Sequence, residues 1–150
     1  TMLLKGYVSS VSEAFERYLG TPEFLEKVER PKPTAVESIH LIQAAGGIAV
    51  LAHPAKLNLS QPEFLQLLST LCKAGLWGIE AYYSTHFPKE MAWYAEVAAQ
   101  HGLFCTCGSD FHGEIIKPDI ALGTGRNHSL CLPDELECQI LERFQAALSK

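Results

Sequence analysis

The feature that most constrains this chain is an alternation between residues 34 and 107. Helix-length amphipathic segments take turns with short, almost wholly apolar runs. "TAVESIHLIQAAGG" places apolar side chains at positions 36, 39, 42 and 45, the spacing of one helix face, and ends on Gly46 and Gly47. "IAVLA" follows, an unbroken apolar run of the kind found in strands buried on both faces. The cycle repeats with "SQPEFLQLLSTLCKAG" and "WGIEAYY", and again with "PKEMAWYAEVAAQHG" and "LFCTC", before "PDELECQILERFQAAL" closes the chain as a helix starting near Pro133 and Asp134. Helices that alternate with buried strands predict an α/β fold with a parallel sheet, because only a crossover helix returns the chain to start a parallel neighbour.

The helix starts are written locally. Ser10 and Glu13, Thr34 and Glu37, and Ser60 and Glu63 each have the spacing of a capping box, in which two side chains satisfy each other's backbone amides. The first predicts a short helix from about Val11 to Leu19, ended by Gly20. "TPEFLEKVERPKP" reads as a helical turn and then a stiff linker, since Pro31 and Pro33 remove donors and disfavour helix before them. A boundary is therefore expected there, with residues 1–32 apart from residues 33–150.

Composition excludes several classes. With 47% hydrophobic and 19% charged residues, the 150-residue chain can fill one core and is not a disordered tail. A net charge of -5 gives no basis for coating nucleic acid with a broad basic surface. No apolar stretch has the length of a membrane span and "TMLLKGYVSS" is not a signal peptide, so a cytoplasmic chain without membrane partners is the expectation. The five cysteines, several in apolar segments, are expected as buried thiols, and the Cys105 to Cys107 spacing is not that of a structural zinc site.

Polar residues concentrate where a parallel sheet gathers its ligands, at the C-terminal ends of strands. His53 follows "IAVLA", Glu80 and His86 lie within and after "GIEAYY", and Asp110 and His112 follow "LFCTC" in "CGSDFHGE". Each has a plain alternative: a turn histidine, a lysine partner, a local cap beside Ser109. Together they are the imidazole and carboxylate donors from separate elements that a divalent metal needs. Asp110 and His112, two apart, share a side in an extended segment. His40 and His101 suit structural roles on helices, His128 has no assigned role, and "GTGRN" is not a phosphate loop.

"AGGIAVLAHPAKL", "GLWGIEAYYSTH" and "HGLFCTCGSDFHG", in this order, resemble the C-terminal half of the PHP (polymerase and histidinol phosphatase) family of metal-dependent phosphoesterases, in its TrpH-like branch. "GYVSSVSEAFERYLG" is similar to the end of that branch's small helical insertion. The resemblance implies the last part of a distorted seven-unit (β/α) barrel, preceded by the end of the insertion. It implies a cluster of Mn, Fe or Zn ions with His53, Asp110 and His112 among the ligands, Lys56 and His86 toward a substrate phosphate, and Glu80 and Ser109 lining or supporting the pocket. The implied reaction is hydrolysis of phosphate esters of nucleotides or short RNA ends, by water that the metals activate. The family's opening His-x-His motif and later ligands are absent from the 150 residues. A C-terminal fragment with an incomplete cluster, inactive alone and prone to pair as a homodimer through uncovered barrel edges, is therefore expected. Two other readings stay open: a non-catalytic PHP-like binding or scaffolding module, and an amidohydrolase-type metal hydrolase.

Overall fold

Capping chemistry sets most element boundaries. In the computed structural model, which describes residues 1–28, 32–133 and 135–148, the Thr34 box closes in both directions: Glu37 N donates to Thr34 Oγ1 at 3.2 Å and Thr34 N to Glu37 Oε2 at 2.7 Å. Helix α3 (Ala35–Ala44) starts there. Ser60 and Glu63 likewise open α4 (Gln61–Lys73). Near the N-terminus the box is displaced by one residue: Ser10 caps Glu13 N, whereas the Glu13 carboxylate takes the amide and hydroxyl of Ser9.

The chain divides into two units, Thr1–Lys32 and Pro33–Lys150. The first holds α1 (Val11–Ala14), which widens into a π-helical turn over Phe15–Leu19, and then α2 (Pro22–Lys27), capped by Thr21. Expected as one regular helix, the 11–19 segment is instead a single α-turn joined to a wider one.

The second unit is built on a three-stranded parallel sheet in the order β1 (Val50–Leu51), β2 (Gly78–Tyr83), β3 (Phe104–Gly108). Helix α4 links β1 to β2, and α5 (Pro88–Gln100) links β2 to β3, as the alternation predicts. "IAVLA" contributes only two residues of ladder, Val50 and Leu51, whose one strand neighbour among the described residues is β2 at Gly78 and Ile79. The β2–β3 pairing contains an irregularity between Glu80 and Tyr82. Gly78 is required in this pairing, since a Cβ there would lie 2.8 Å from the Phe104 carbonyl oxygen.

Ile39 of α3, Phe64, Leu68 and Leu71 of α4, Ile79 and Ala81 of β2, and Val97 and Ala98 of α5 form the core. Leu68, Ile79 and Ala98 are completely buried, which seals the sheet interior and leaves polar chemistry to the strand ends. The region read from sequence as loop contains a small antiparallel pair, β4 (Ile120–Ala121) with β5 (Gly125–Arg126). Helix α6 (Leu136–Leu148) ends the described chain; Asp134, expected at its start, lies outside the described residues. Among the described residues no helix is long and apolar enough to cross a membrane.

Candidate functional site

Because β1, β2 and β3 are parallel, their C-terminal ends lie on one edge, and after β1 and β3 the chain passes through a residue in the left-handed region. After β1, His53 adopts a left-handed conformation (φ 33°) and heads a 3-10 turn, Pro54–Leu57. The residue before a proline disfavours helical backbone, so this geometry needs support. Glu80 of β2 supplies it: its Oε2 accepts the His53 amide at 2.6 Å. Burial raises the Glu80 pKa, opposed by the His53 amide and by the His53 and His86 rings. Gly108, at the end of β3, is the residue that leaves room for this carboxylate, because a Cβ there would collide with Glu80 Oε1.

After β3, Asp110 is also left-handed (φ 60°), a conformation that aspartate tolerates better than most residues. Its carboxylate is the hub of the edge. Oδ2 accepts from the Tyr83 hydroxyl at 2.6 Å, Lys117 Nζ at 2.6 Å and Lys56 Nζ at 3.2 Å, while Oδ1 lies 3.5 Å from His112 Nδ1. Burial opposes the charge, but the bonds from Lys117, Tyr83 and Lys56 prevail and hold the Asp110 carboxyl far below the ordinary range. Lys56 in turn has its pKa raised, through the Tyr83 hydroxyl first and Asp110 second, and its ammonium sits 4.9 Å from the Tyr83 ring centre.

The two remaining histidines at this edge differ. His112 Nδ1 lies 2.7 Å from the Asp110 carbonyl oxygen, which can only accept, so Nδ1 donates this bond and Nε2 is the ring nitrogen whose lone pair the neutral tautomer leaves free. His86 does not face this surface. It is 6% exposed, bonded through Nδ1 to the Ala81 carbonyl at 3.0 Å, and packed between the rings of Tyr83 and Tyr94. The return of the chain into α5 folds it inward, and its Nε2 is buried without a hydrogen-bond partner among the described residues. Ser109 contributes its carbonyl, which accepts from Ser84 Oγ at 2.8 Å and ties the ends of β2 and β3 together. His101 bonds the Val97 carbonyl at the end of α5, and His128 bonds Thr124 beside the β4–β5 pair.

Sequence reasoning missed Tyr83 and Lys117. Tyr83 is 1% exposed yet has a polar atom to satisfy, which makes a buried strand-end tyrosine a pointer to an anionic partner. Lys117 had no such signal. It reaches Asp110 because the chain turns at Gly113 (φ 93°) and closes with a bond from Lys117 N to the Gly113 carbonyl.

The candidate donors do not converge. Among the described residues no three His, Cys, Asp or Glu side chains converge on one point. Asp110 and His112 stand together, but His53 turns its ring against Tyr83, with centroids 5.6 Å apart. The residues present do not by themselves fit a divalent ion, which needs more converging donors. What they do form is two ammonium groups around the Asp110 carboxylate, with the Glu80 carboxylate in electrostatic reach of it, so that Lys56 and Lys117 are the cationic groups this edge offers to an oxyanion.

The parallel strands that deliver carboxylate, imidazole and ammonium groups to one edge belong to a mixed α/β fold similar to solved phosphoesterase and amidohydrolase structures. More particularly, the chain is similar in sequence to bacterial phosphatases and exoribonucleases, in keeping with the resemblance carried by "AHP" and "GSDFH". It is 39% identical over 80 residues to a phosphoribosyl 1,2-cyclic phosphate 1,2-diphosphodiesterase of Eggerthella lenta, covering 53% of this chain and 29% of the relative. A 3',5'-nucleoside bisphosphate phosphatase of Chromobacterium violaceum is 33% identical over 107 residues, covering 71% and 37% respectively. The 5'-3' exoribonuclease Rnm of Escherichia coli is 33% identical over 107 residues, covering 71% and 36%. Two solved structures superpose with 28% identity. A "putative metal-dependent phosphoesterase" of Bifidobacterium adolescentis gives a TM-score of 0.61 over 95% of this chain and 47% of its own. An amidohydrolase of C. violaceum, with bound sulfate and no metal, gives 0.59 over 97% and 48%. The chain thus spans well under half the length of these curated relatives. No family model matches it.

Proposed function

We propose that this chain forms one wall of the active site of a phosphoesterase, with the remaining wall supplied by the rest of a longer PHP-type barrel, and that Thr1–Lys32 is the end of a helical insertion. The observation that carries the reading is the Asp110 cluster at the shared strand edge. Its two ammonium groups bind and orient an oxyanion, and spread positive charge toward the phosphoryl oxygens where negative charge concentrates during hydrolysis. Lys56 and Lys117 are the phosphate-facing residues. Asp110, His112 through Nε2, and His53 are this wall's contribution to a divalent site that needs further donors. Glu80 and Gly108 keep His53 in its turn, and Ser84 with Ser109 keeps Asp110 in register.

The substrate class follows the relatives: phosphate esters of nucleotides or of short RNA ends. The sulfate of the C. violaceum structure, a tetrahedral dianion, is in keeping with an anion site in this fold. That protein's designation as an amidohydrolase favours the second reading, in which the same edge serves C–N bond hydrolysis. Association through uncovered strand edges has no support in the relatives.

Asp110→Asn in the full-length protein tests the reading. Hydrolysis of a nucleoside 3',5'-bisphosphate is expected to fall by at least about a hundredfold, the scale of losing one charge-stabilising group. Near-normal turnover would refute the role of Asp110, and cleavage of an amide substrate with no phosphatase activity would select the amidohydrolase reading.

A further inference from the structure

His86 grips the end of β2 at two points. Its backbone N donates to the Tyr83 carbonyl at 2.9 Å, closing the turn that leaves the strand, and its Nδ1 lies 3.0 Å from the Ala81 carbonyl oxygen. A carbonyl can only accept, so Nδ1 donates this bond. Ala81 is where β2 carries one residue more than β3: the register runs from Glu80↔Thr106 to Tyr82↔Cys107, and Ala81 has no opposite number between them. Such a bulge shifts every later side chain by one position relative to the partner strand. With it, Tyr83 stands opposite Gly108. Without it, Tyr83 would fall opposite Ser109 and Tyr82 would take its place, so the hydroxyl that donates to Asp110 Oδ2 at 2.6 Å depends on the extra residue.

We infer that His86 is a positioning residue for the Asp110 edge: it holds the β2 bulge through Ala81 and the Tyr83 ring by direct packing, and so aims the Tyr83 hydroxyl. This rests on the reading of that edge as the phosphoryl site. The His86 ring is 6% exposed and lies against Tyr83 of β2, with centroids 5.1 Å apart at 65°, and against Tyr94 of α5, 5.1 Å apart at 33°. Packing alone does not explain an imidazole there. Its Nε2 is buried with no hydrogen-bond partner among the described residues, which costs stability that a phenyl ring would not. What the imidazole adds over a phenyl ring is the Nδ1–H on the bulge. Tyr83 also packs against His53, with centroids 5.6 Å apart, and lies under the Lys56 ammonium. It is therefore the link through which the bulge reaches the charged groups of the edge.

The experiment compares the full-length parent with His86→Phe, which keeps a ring and removes the donor, and His86→Asn, whose amide can place an N–H near the position of Nδ1. His86→Leu is a second donor-free variant, and unchanged amide protection at Ile79 checks the sheet in each. Proton NMR follows the Tyr83 hydroxyl, identified by its absence in Tyr83→Phe, and steady-state kinetics follow hydrolysis of a nucleoside 3',5'-bisphosphate. In the donor-free variants the hydroxyl proton is expected to exchange at least about tenfold faster and kcat to fall about tenfold or more, the scale of a misplacement remote from the chemistry. KM should change little, since Lys56 and Lys117 still face the phosphate, and His86→Asn should recover part of both losses. In the Tyr83→Phe background, His86→Phe should lower kcat no further, because residues acting through one hydroxyl do not add. A Tyr83 hydroxyl as protected in the donor-free variants as in the parent would overturn the proposal, as would kcat losses that multiply in the double variant. If the hydroxyl is freed while bisphosphate hydrolysis is unchanged, in these variants and in Tyr83→Phe, the positioning of Tyr83 by His86 stands and it is the phosphoryl reading of the edge that fails.

Discussion

Tyr83→Phe isolates the hydrogen bond at the centre of the strand edge. Tyr83 is among the largest fully buried side chains, and its hydroxyl donates to Asp110 Oδ2 at 2.6 Å. Phenylalanine keeps the ring, the packing against His53 and His86, and the aromatic face under Lys56, so the perturbation is one hydroxyl. A hydrogen bond to a charged acceptor contributes about 1.5–3 kcal/mol. Lys56 and Lys117 still neutralise the carboxylate after the change, so the lower part of that range applies, about 1.5–2 kcal/mol. For a chain of this size, that corresponds to a fall in Tm of about 3–8 °C. The pH dependence gives the sign. The Asp110 pKa is depressed in the folded chain, so the stability it contributes is present above the unfolded carboxyl value of about 3.9 and is lost as pH falls toward the folded value. The variant, with less depression, has less to lose on acidification. Urea denaturation of parent and variant should therefore show the full difference at pH 7 and pH 5, shrinking below about pH 4. A difference under about 0.3 kcal/mol at pH 7, or one that grows on acidification, would refute the assignment of Tyr83 as the charge-stabilising partner.

Gly108→Ala should push the Glu80 carboxylate off the His53 amide while leaving the β2–β3 ladder in place. Faster hydrogen exchange at His53, with unchanged protection at Ile79, is the expected result, and unchanged exchange at His53 would show that Glu80 has another way to reach it. Among the described cysteines, Cys131 is exposed, whereas burial raises the thiol pKa of Cys72 and Cys105. Iodoacetamide at pH 8 should thus modify Cys131 first, with Cys105 reacting on unfolding, as peptide mass mapping would show.

The helices were legible because their signals are local: Thr34 with Glu37 and Ser60 with Glu63 need only three residues to specify a start. The parallel order followed from alternation, since β1, β2 and β3 can be joined through α4 and α5 only by crossovers. The length of β1 was not legible, because a strand's ladder depends on its neighbours, and "IAVLA" has one strand neighbour among the described residues. Neither was β4 with β5, a two-residue pair that depends on Gly125 at φ 70° lying close to Ser84 and Leu130. At the site, position relative to a strand end was enough to single out His53, Glu80 and Asp110. It could not reveal that the His86 ring turns inward, nor that Lys117 comes back over Asp110. Both depend on where the chain goes after the strand, and no local pattern records that.

The left-handed backbone at His53 and Asp110 has a consequence for how this surface can vary. Among the described residues five non-glycine residues have positive φ, and every one of these is His, Asn or Asp. At two of them, the amino acids that the backbone tolerates are also ones that bind cations, so conformational demand and chemical demand select from the same short list. Changes that look conservative by charge or size, such as glutamate or valine at position 110, meet the backbone's objection before any chemistry is tested. A mutational scan would therefore record these positions as intolerant for two superimposed reasons. Glycine separates them: it relieves the conformational demand while removing the side chain, and asparagine at position 110 keeps the conformation and removes only the charge.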